Sequence, residues 1–133
     1  MKTETISVRV RYQETDQMGV VYHANYLTYF ELGRVEWLRS KGLDYAALEK
    51  SGVLLPVVNV TVNYQSPARY DQLIKVVTTI EKIGGASVVF YTQIIAENET
   101  VLVDGRVTLV ATDAKNFKPI KLPDQLRSLI EEN

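Results

Sequence analysis

Asp16 and His23 stand seven residues apart in the stretch ETDQMGVVYHANY, which runs from Glu14 to Tyr26 and holds the chain's only histidine. A carboxylate and an imidazole are the residue types of hydrolytic chemistry. The carboxylate can attack a carbonyl or deprotonate the water that attacks it, and the charge that develops on the carbonyl oxygen needs a donor. Gly19 lies between the two and allows both a tight turn and close approach of a ligand to backbone. By residue type alone, an aspartate in a loop is more often a capping acid than a catalytic one. A single histidine near a helix start is likewise more often a hydrogen-bonding partner. Glu14 reads as solvated, and Tyr22, Tyr26 and Tyr29 read as packing residues.

Other chemistries have little sequence to support them. No GxSxG elbow, GxxxxGK[ST] loop or GxGxxG fingerprint occurs, which argues against a serine hydrolase, a phosphate loop and dinucleotide binding. The chain has no cysteine and one histidine, leaving no thiolate or disulfide and little for a transition metal. No metal and no cofactor is expected. Fifteen basic residues balance sixteen acidic ones for a net charge of −1. With no Lys/Arg run, nucleic acid is not an expected partner. The N-terminal MKTETISVRV lacks the apolar segment of a signal peptide. No apolar run reaches the ~20 residues that span a bilayer. The expectation is a cytoplasmic protein whose 133 residues form a single domain, 1–133.

The candidate residues have to be positioned by the elements around them. Residues 4–12 alternate, with Ile6, Val8, Val10 and Tyr12 on one face, and predict a strand. From about Tyr26 to Lys41 the period becomes helical: Tyr26, Phe30, Gly33 and Trp37 share a face, while Arg34 and Glu36 fall on the exposed side. Gly33 costs helix propensity of ~1 kcal/mol relative to alanine, which close approach to another element would justify. Asn25 is the candidate N-cap and Gly42 the candidate stop. Asp44 caps a short second helix through Lys50. Four strands are predicted at 53–65, 72–83, 86–96 and 100–112. Gly84-Gly85 and Glu97-Asn98-Glu99 are turns, Gly105 a bulge, and Asp71 and Asp113 turn residues at strand ends. A tail helix starts at Pro123 and carries Leu126, Leu129 and Ile130 on one stripe. Consecutive hairpins imply an antiparallel sheet, and the long apolar helix must pack on one of its faces. The expected class is α+β: a curved five-stranded antiparallel sheet wrapped around one central helix, the hotdog architecture. Such a sheet leaves an open edge, so a homodimer or homotetramer is expected. In this frame Asp16 and His23 fall between a strand end and a helix start, where unpaired N–H groups and partial positive charge favour a developing oxyanion.

Residues 12–26, YQETDQMGVVYHANY, resemble the signature of the 4-hydroxybenzoyl-CoA thioesterase family, most of all its bacterial acyl-CoA thioesterase branch associated with Tol–Pal genes. The family pattern is Tyr, two residues, Thr-Asp, two residues, then Gly-Val-Val-Tyr-His-Ala-Asn-Tyr, and each fixed position matches. The following FELGRVEWLRSKGLDY and the segment Tyr64–Asp71 are also similar. The resemblance implies a hotdog fold and hydrolysis of an acyl-CoA thioester, with CoA as part of the substrate. It places the catalytic aspartate on Asp16. The backbone N–H that polarises the thioester carbonyl falls on His23, whose side chain adds orientation at most. It also implies a pocket between two subunits. The turn that is basic in the 4-hydroxybenzoyl-specific relatives is here Ile83-Gly84-Gly85-Ala86; Lys82, Arg69 or Arg106 could substitute in holding CoA phosphates, and each reads more simply as a surface charge. A dehydratase on the same fold would want its acid on the helix, after the histidine. A non-catalytic acyl- or CoA-binding module and an aromatic acyl-CoA hydrolase are the remaining alternatives.

Overall fold

A computed structural model describes residues 3–131. The strands are β1 (Thr3–Arg9), β2 (Val53–Leu54), β3 (Val57–Tyr64), β4 (Leu73–Ile83), β5 (Ser87–Ala96), β6 (Val101–Val110) and β7 (Thr112–Asp113). The helices are α1 (Asn25–Ser40), α2 (Tyr45–Lys50) and α3 (Asp124–Glu131). Five strands form one sheet in the order β1-β4-β5-β6-β3, and every neighbouring pair in it is antiparallel. This is the α+β architecture expected from the hairpin pattern. The helix α1 lies against β4 and β1 and also touches β5.

Alternation along β4 and β5 sends every second side chain into the core, and α1 covers that face. Trp37, Tyr29, Phe30, Phe90, Ile74 and Ile94 are fully buried there. Each such side chain contributes roughly 1.5–3 kcal/mol by leaving water. Two glycines let the layers meet. A Cβ on Gly33 would press on the Thr78 side chain and come within 2.8 Å of Val76 Cγ1. A Cβ on Gly105 would lie 2.6 Å from Phe30 Cε2 and 2.7 Å from the Thr61 carbonyl oxygen.

Several local expectations hold and several do not. Gly42 has φ +84° and ends α1, and Asp44 caps α2 by accepting from the Ala46 N–H at 3.0 Å. Leu126 and Ile130 bury the stripe of α3, with Leu129 partly covered. Gly105 is not a bulge. It pairs in register with Thr92 and Val62, and the β5–β6 irregularity falls at Ile94/Ile95. Its role is to admit the Phe30 ring. The first strand stops at Arg9, and a single turn of 3-10 helix over Tyr12–Glu14 carries Tyr12 away from the core face into solvent. The run 53–65 is split at Leu55-Pro56 into β2, which pairs with β7, and β3, which pairs with β6. Arg34 is buried rather than exposed, because its part of α1 faces α2 and the start of β3. Its burial pushes the guanidinium pKa down, against the opposing charges of Tyr45 and Glu31.

The glycine contacts make a direct prediction. Gly105→Ala forces the Phe30 ring or β3 to move and should destabilise the protein by about 1–3 kcal/mol. Thermal unfolding should show a fall of about 5 °C or more. Gly85→Ala, with nothing within 4 Å of the added Cβ, should melt with the wild type.

Candidate active site

The loop after β1 folds on itself before it reaches α1. The Asp16 carboxylate accepts a hydrogen bond from the Met18 N–H at 2.8 Å through Oδ1. The Asp16 N–H donates to the Val20 carbonyl at 2.9 Å, and the Gly19 N–H donates to the Asp16 carbonyl at 3.0 Å. Gly19 at φ +80° closes this turn in a conformation that side chains disfavour. The loop is then pinned to the segment after β3: Val21 N–H donates to Ala68 O at 2.8 Å, and Val20 bridges Arg69. With Oδ1 engaged, Oδ2 of Asp16 has no hydrogen-bond partner among the described residues.

His23 lies in a turn, two residues before the first residue of α1 and one before the cap residue Ala24. Its ring is exposed, tilted on Tyr22 and edge-on to Tyr64. Its carbonyl accepts from the Tyr64 hydroxyl at 3.1 Å. Its N–H has no acceptor among the described residues, as befits the chain just ahead of a helix. Asn25 is not the N-cap. It is the first helical residue, and its Nδ2 donates instead to the Glu14 carbonyl at 2.8 Å.

Asp16 and His23 line one cavity of about 280 Å³. Met18, Val20 and Val21 of the loop and Tyr26 of α1 complete one wall, and Tyr64, Gln65, Ser66 and Pro67 form the other. This second wall carries no site role in the sequence reading. Its signal is the break in alternation after β3, where Tyr64-Gln65-Ser66-Pro67 leaves the sheet. Tyr26 does pack in the core, and its hydroxyl also accepts from the Ala68 N–H at 3.1 Å, tying α1 to that wall.

Glu14 corrects the expectation of a solvated acid. It is 8% exposed. Its Oε1 accepts from the Arg11 N–H at 2.8 Å and from the Tyr29 hydroxyl at 2.9 Å, and its Oε2 accepts from the Arg11 guanidinium at 3.1 Å. Its carbonyl accepts from the Tyr22 N–H at 3.0 Å as well as from Asn25. One residue thus ties both ends of the loop to the first turns of α1. Burial alone would raise the Glu14 pKa, but the hydrogen bonds from Arg11 and Tyr29 outweigh it and hold the carboxyl below its ordinary range. The Tyr29 hydroxyl is pushed up by burial and by the carboxylate it serves.

Of the basic residues considered for phosphate contacts, Arg106 is already engaged. It donates to both Glu81 carboxylate oxygens, at 2.6 and 2.8 Å, and lies over the Tyr91 ring. Arg69 and Lys82 are exposed. Among the described residues, no three side chains of the His, Cys, Asp or Glu type gather closely enough to hold a metal ion. No helix among them is long and apolar enough to cross a membrane.

This geometry can be set beside known proteins. The Thioesterase-like superfamily matches residues 10–130. The chain belongs to that superfamily. It is 39% identical over 114 residues to the putative acyl-CoA thioesterase YneP of Bacillus subtilis (strain 168), a match covering 86% of this chain and 83% of that protein. It is 38% identical over 119 residues to the acyl-CoA thioester hydrolase YbgC of Escherichia coli O157:H7, covering 90% and 89%. The crystal structure of a DHNA-CoA thioesterase from Staphylococcus aureus superposes with a TM-score of 0.88 at 36% identity, over 92% of this chain and 82% of that one. The thioesterase-like hotdog fold read from the strand and helix order is therefore the fold of this superfamily member.

The Glu14 hydrogen bonds set a pH dependence. A carboxyl whose folded-state pKa lies below its ordinary 4.5 stabilises the fold above that value, and the gain is lost as pH falls through the folded-state value. Glu14→Gln should cost about 1–3 kcal/mol at neutral pH. It should also flatten the loss of stability below about pH 5 expected of the wild type. Urea unfolding across a pH series reads both effects.

Proposed function

We propose that the protein hydrolyses an acyl-CoA thioester to free acid and CoA, with Asp16 and the His23 N–H as the two halves of the machinery. The observation that carries this reading is the shared cavity. Its lining holds both Asp16, a carboxylate with one uncommitted oxygen, and His23, whose backbone N–H is uncommitted among the described residues. The thioester carbonyl oxygen accepts from the His23 N–H, which draws electrons from the carbonyl carbon and stabilises the oxyanion. Asp16 either attacks that carbon, forming an anhydride that water opens, or takes a proton from the water that attacks it. In both routes the C–S bond breaks, the thiolate of CoA leaves and is protonated, and the acyl group departs as a carboxylate. The acyl-CoA thioesterase names of the similar Bacillus and Escherichia proteins support this reading, as does the aryl-CoA substrate in the name of the Staphylococcus structure. The adjoining rings of Tyr26 and Tyr64 in the cavity lining favour an aromatic acyl group as a second reading of the substrate. Placement in the Tol–Pal-associated branch rests on the signature at residues 12–26. The working unit of this proposal is a homodimer or a dimer of dimers, because β3 ends the sheet with Val57, Val58 and Val60 exposed.

Purified protein tested with aliphatic and aromatic acyl-CoAs, with release of free thiol as the readout, checks the activity. Asp16→Asn keeps the Oδ1 acceptor for Met18 and removes the charge. It should lower kcat by at least about 100-fold and leave Tm within about 2 °C of the wild type. Full activity in this variant would refute the assigned chemistry. Binding of CoA with no turnover across the panel would favour a non-catalytic module. His23→Ala keeps the backbone donor, so activity should stay within about tenfold, whereas loss of a true oxyanion donor costs 100-fold or more. A fall of that size would move the role to the ring. Single turnover in heavy-oxygen water, followed by mass analysis of the Asp16 peptide, detects a nucleophile whose anhydride water opens at the aspartyl carbon. Label in Asp16 marks the nucleophile.

A further inference from the structure

Tyr64 is the last residue of β3 and pairs in register with Val103, which is fully buried in β6. On either side of it, Asn63 and Gln65 both donate from their side-chain amides to the Asp104 carboxylate, at 3.0 and 3.2 Å. The Gln65 and Ser66 N–H groups both donate to the Leu102 carbonyl at 2.9 Å. Successive side chains of a strand point to opposite faces. With Asn63 held to Asp104 on one face, Tyr64 is directed to the other, where α1 begins. Its ring lies edge-on to Tyr26 at 5.7 Å and to His23 at 6.4 Å, and it lines the cavity shared by Asp16 and His23. The residue is nonetheless 51% exposed, and a hydrogen bond open to water contributes little to stability. Stability therefore gives little reason for the hydroxyl, which a phenylalanine would lack.

That hydroxyl donates to the His23 carbonyl at 3.1 Å. Among the described residues it is the one hydrogen bond that reaches His23 from the opposite wall of the cavity. The His23 N–H belongs to the planar peptide unit before the residue and the His23 carbonyl to the unit after it, and only two dihedral angles relate them. The unit before is held through the Tyr22 carbonyl, which accepts from the Asn25 N–H at 2.8 Å. The unit after is held by Tyr64. With both units fixed, the His23 N–H keeps one direction. An oxyanion donor acts at full strength only when its direction is set before the charge develops, because no reorganisation is then needed during the reaction. We propose that Tyr64 is a positioning residue: its hydroxyl clasps the His23 carbonyl across the cavity and so fixes the direction of the His23 N–H for the thioester carbonyl oxygen. The inference rests on the role given to His23 above and adds the group that orients it. No proton transfer or bond to substrate is assigned to the Tyr64 hydroxyl.

Steady-state kinetics of Tyr64 variants test it, with the acyl-CoA of the aliphatic and aromatic panel that the wild type turns over most efficiently. Tyr64→Phe keeps the ring and its edge-on contacts and removes only the hydroxyl. It should lower kcat by about tenfold to 100-fold, less than outright loss of a donor. KM should stay within about threefold, since the clasp acts in the transition state. Tm should stay within about 2 °C of the wild type. Replacing Tyr64 by 4-aminophenylalanine puts an N–H donor back on the same ring and should return kcat to within about threefold of the wild type. Tyr64→Leu removes the ring as well and should raise KM on top of the loss in kcat. Wild-type kcat in Tyr64→Phe overturns the clasp. A loss carried by KM alone also overturns it and makes Tyr64 a wall for the acyl group. A loss that the amino variant does not recover, or one accompanied by a larger fall in Tm, overturns it too and marks the hydroxyl as structural. Asp16→Asn separates the two levels. Its inactivity beside a fully active Tyr64→Phe removes only the clasp, whereas full activity of Asp16→Asn, or no turnover of the panel by the wild type, removes the reading of the site and the clasp with it.

Discussion

The close seating of α1 on the sheet is the constraint that the rest of the molecule obeys. Gly33 on the helix and Gly105 on the sheet leave out the two side-chain atoms that would hold the layers apart. Phe30 and Trp37 then fill the space at full burial. At this separation the N-terminal end of α1 arrives beside the loop after β1 and the chain leaving β3. Tyr26 and Tyr29 emerge from the helix within reach of Ala68 and Glu14. A helix standing further off would keep its hydrophobic face but lose these polar contacts.

Beneath the loop, the organising element is polar. A carboxylate this buried would be costly without donors, and Glu14 has three, from Arg11 backbone, Arg11 guanidinium and Tyr29. Its carbonyl takes the Tyr22 and Asn25 donors, so the entrance and exit of the loop are held at one point. This leaves the loop little freedom to change the position of Asp16 relative to the His23 turn. Pre-organisation of that kind is what electrostatic stabilisation of a developing charge requires. The groups the fold leaves unsatisfied are then informative. Asp16, with one unengaged carboxylate oxygen, and His23, with an unengaged N–H, line one cavity, and Arg34 lines a recess beside β3. Thr78 Oγ1, under α1, is likewise buried without a hydrogen-bond partner among the described residues.

Reading the sequence located the elements because their causes are local. A period of two marks β4 and β5, a period near 3.6 marks α1, and Gly42, Asp44 and Gly84-Gly85 punctuate them within a few residues. Asp16 and His23 were legible as a pair because they share one loop. Glu14 was misread because its burial depends on Tyr29, fifteen residues on. Asn25 was misread because the helix already begins at it, and its side-chain amide donates to the Glu14 carbonyl instead of accepting from the free N–H groups of the first turn. Arg34 looked exposed by helical phase, and only the placement of α2 and β3 covers it. Gly105 signalled a special backbone position correctly and its reason wrongly, since the ring that needs the space lies on another element.

The amino-acid sequence by itself therefore determined which segments become strands or helices, where they turn, and which acid and which turn stand between the first strand and the long helix. These follow from propensities and periodicities that act over a few residues. The tertiary structure alone decided that Tyr64 to Pro67 face that acid across a cavity, that one Asp16 oxygen is spent on the loop while the other is free, and that a guanidinium is buried without a hydrogen-bond partner among the described residues. The facing walls come from segments more than forty residues apart, and Arg34 is covered by α2 and the start of β3; packing of the helix on the sheet sets those distances, and no local pattern encodes them.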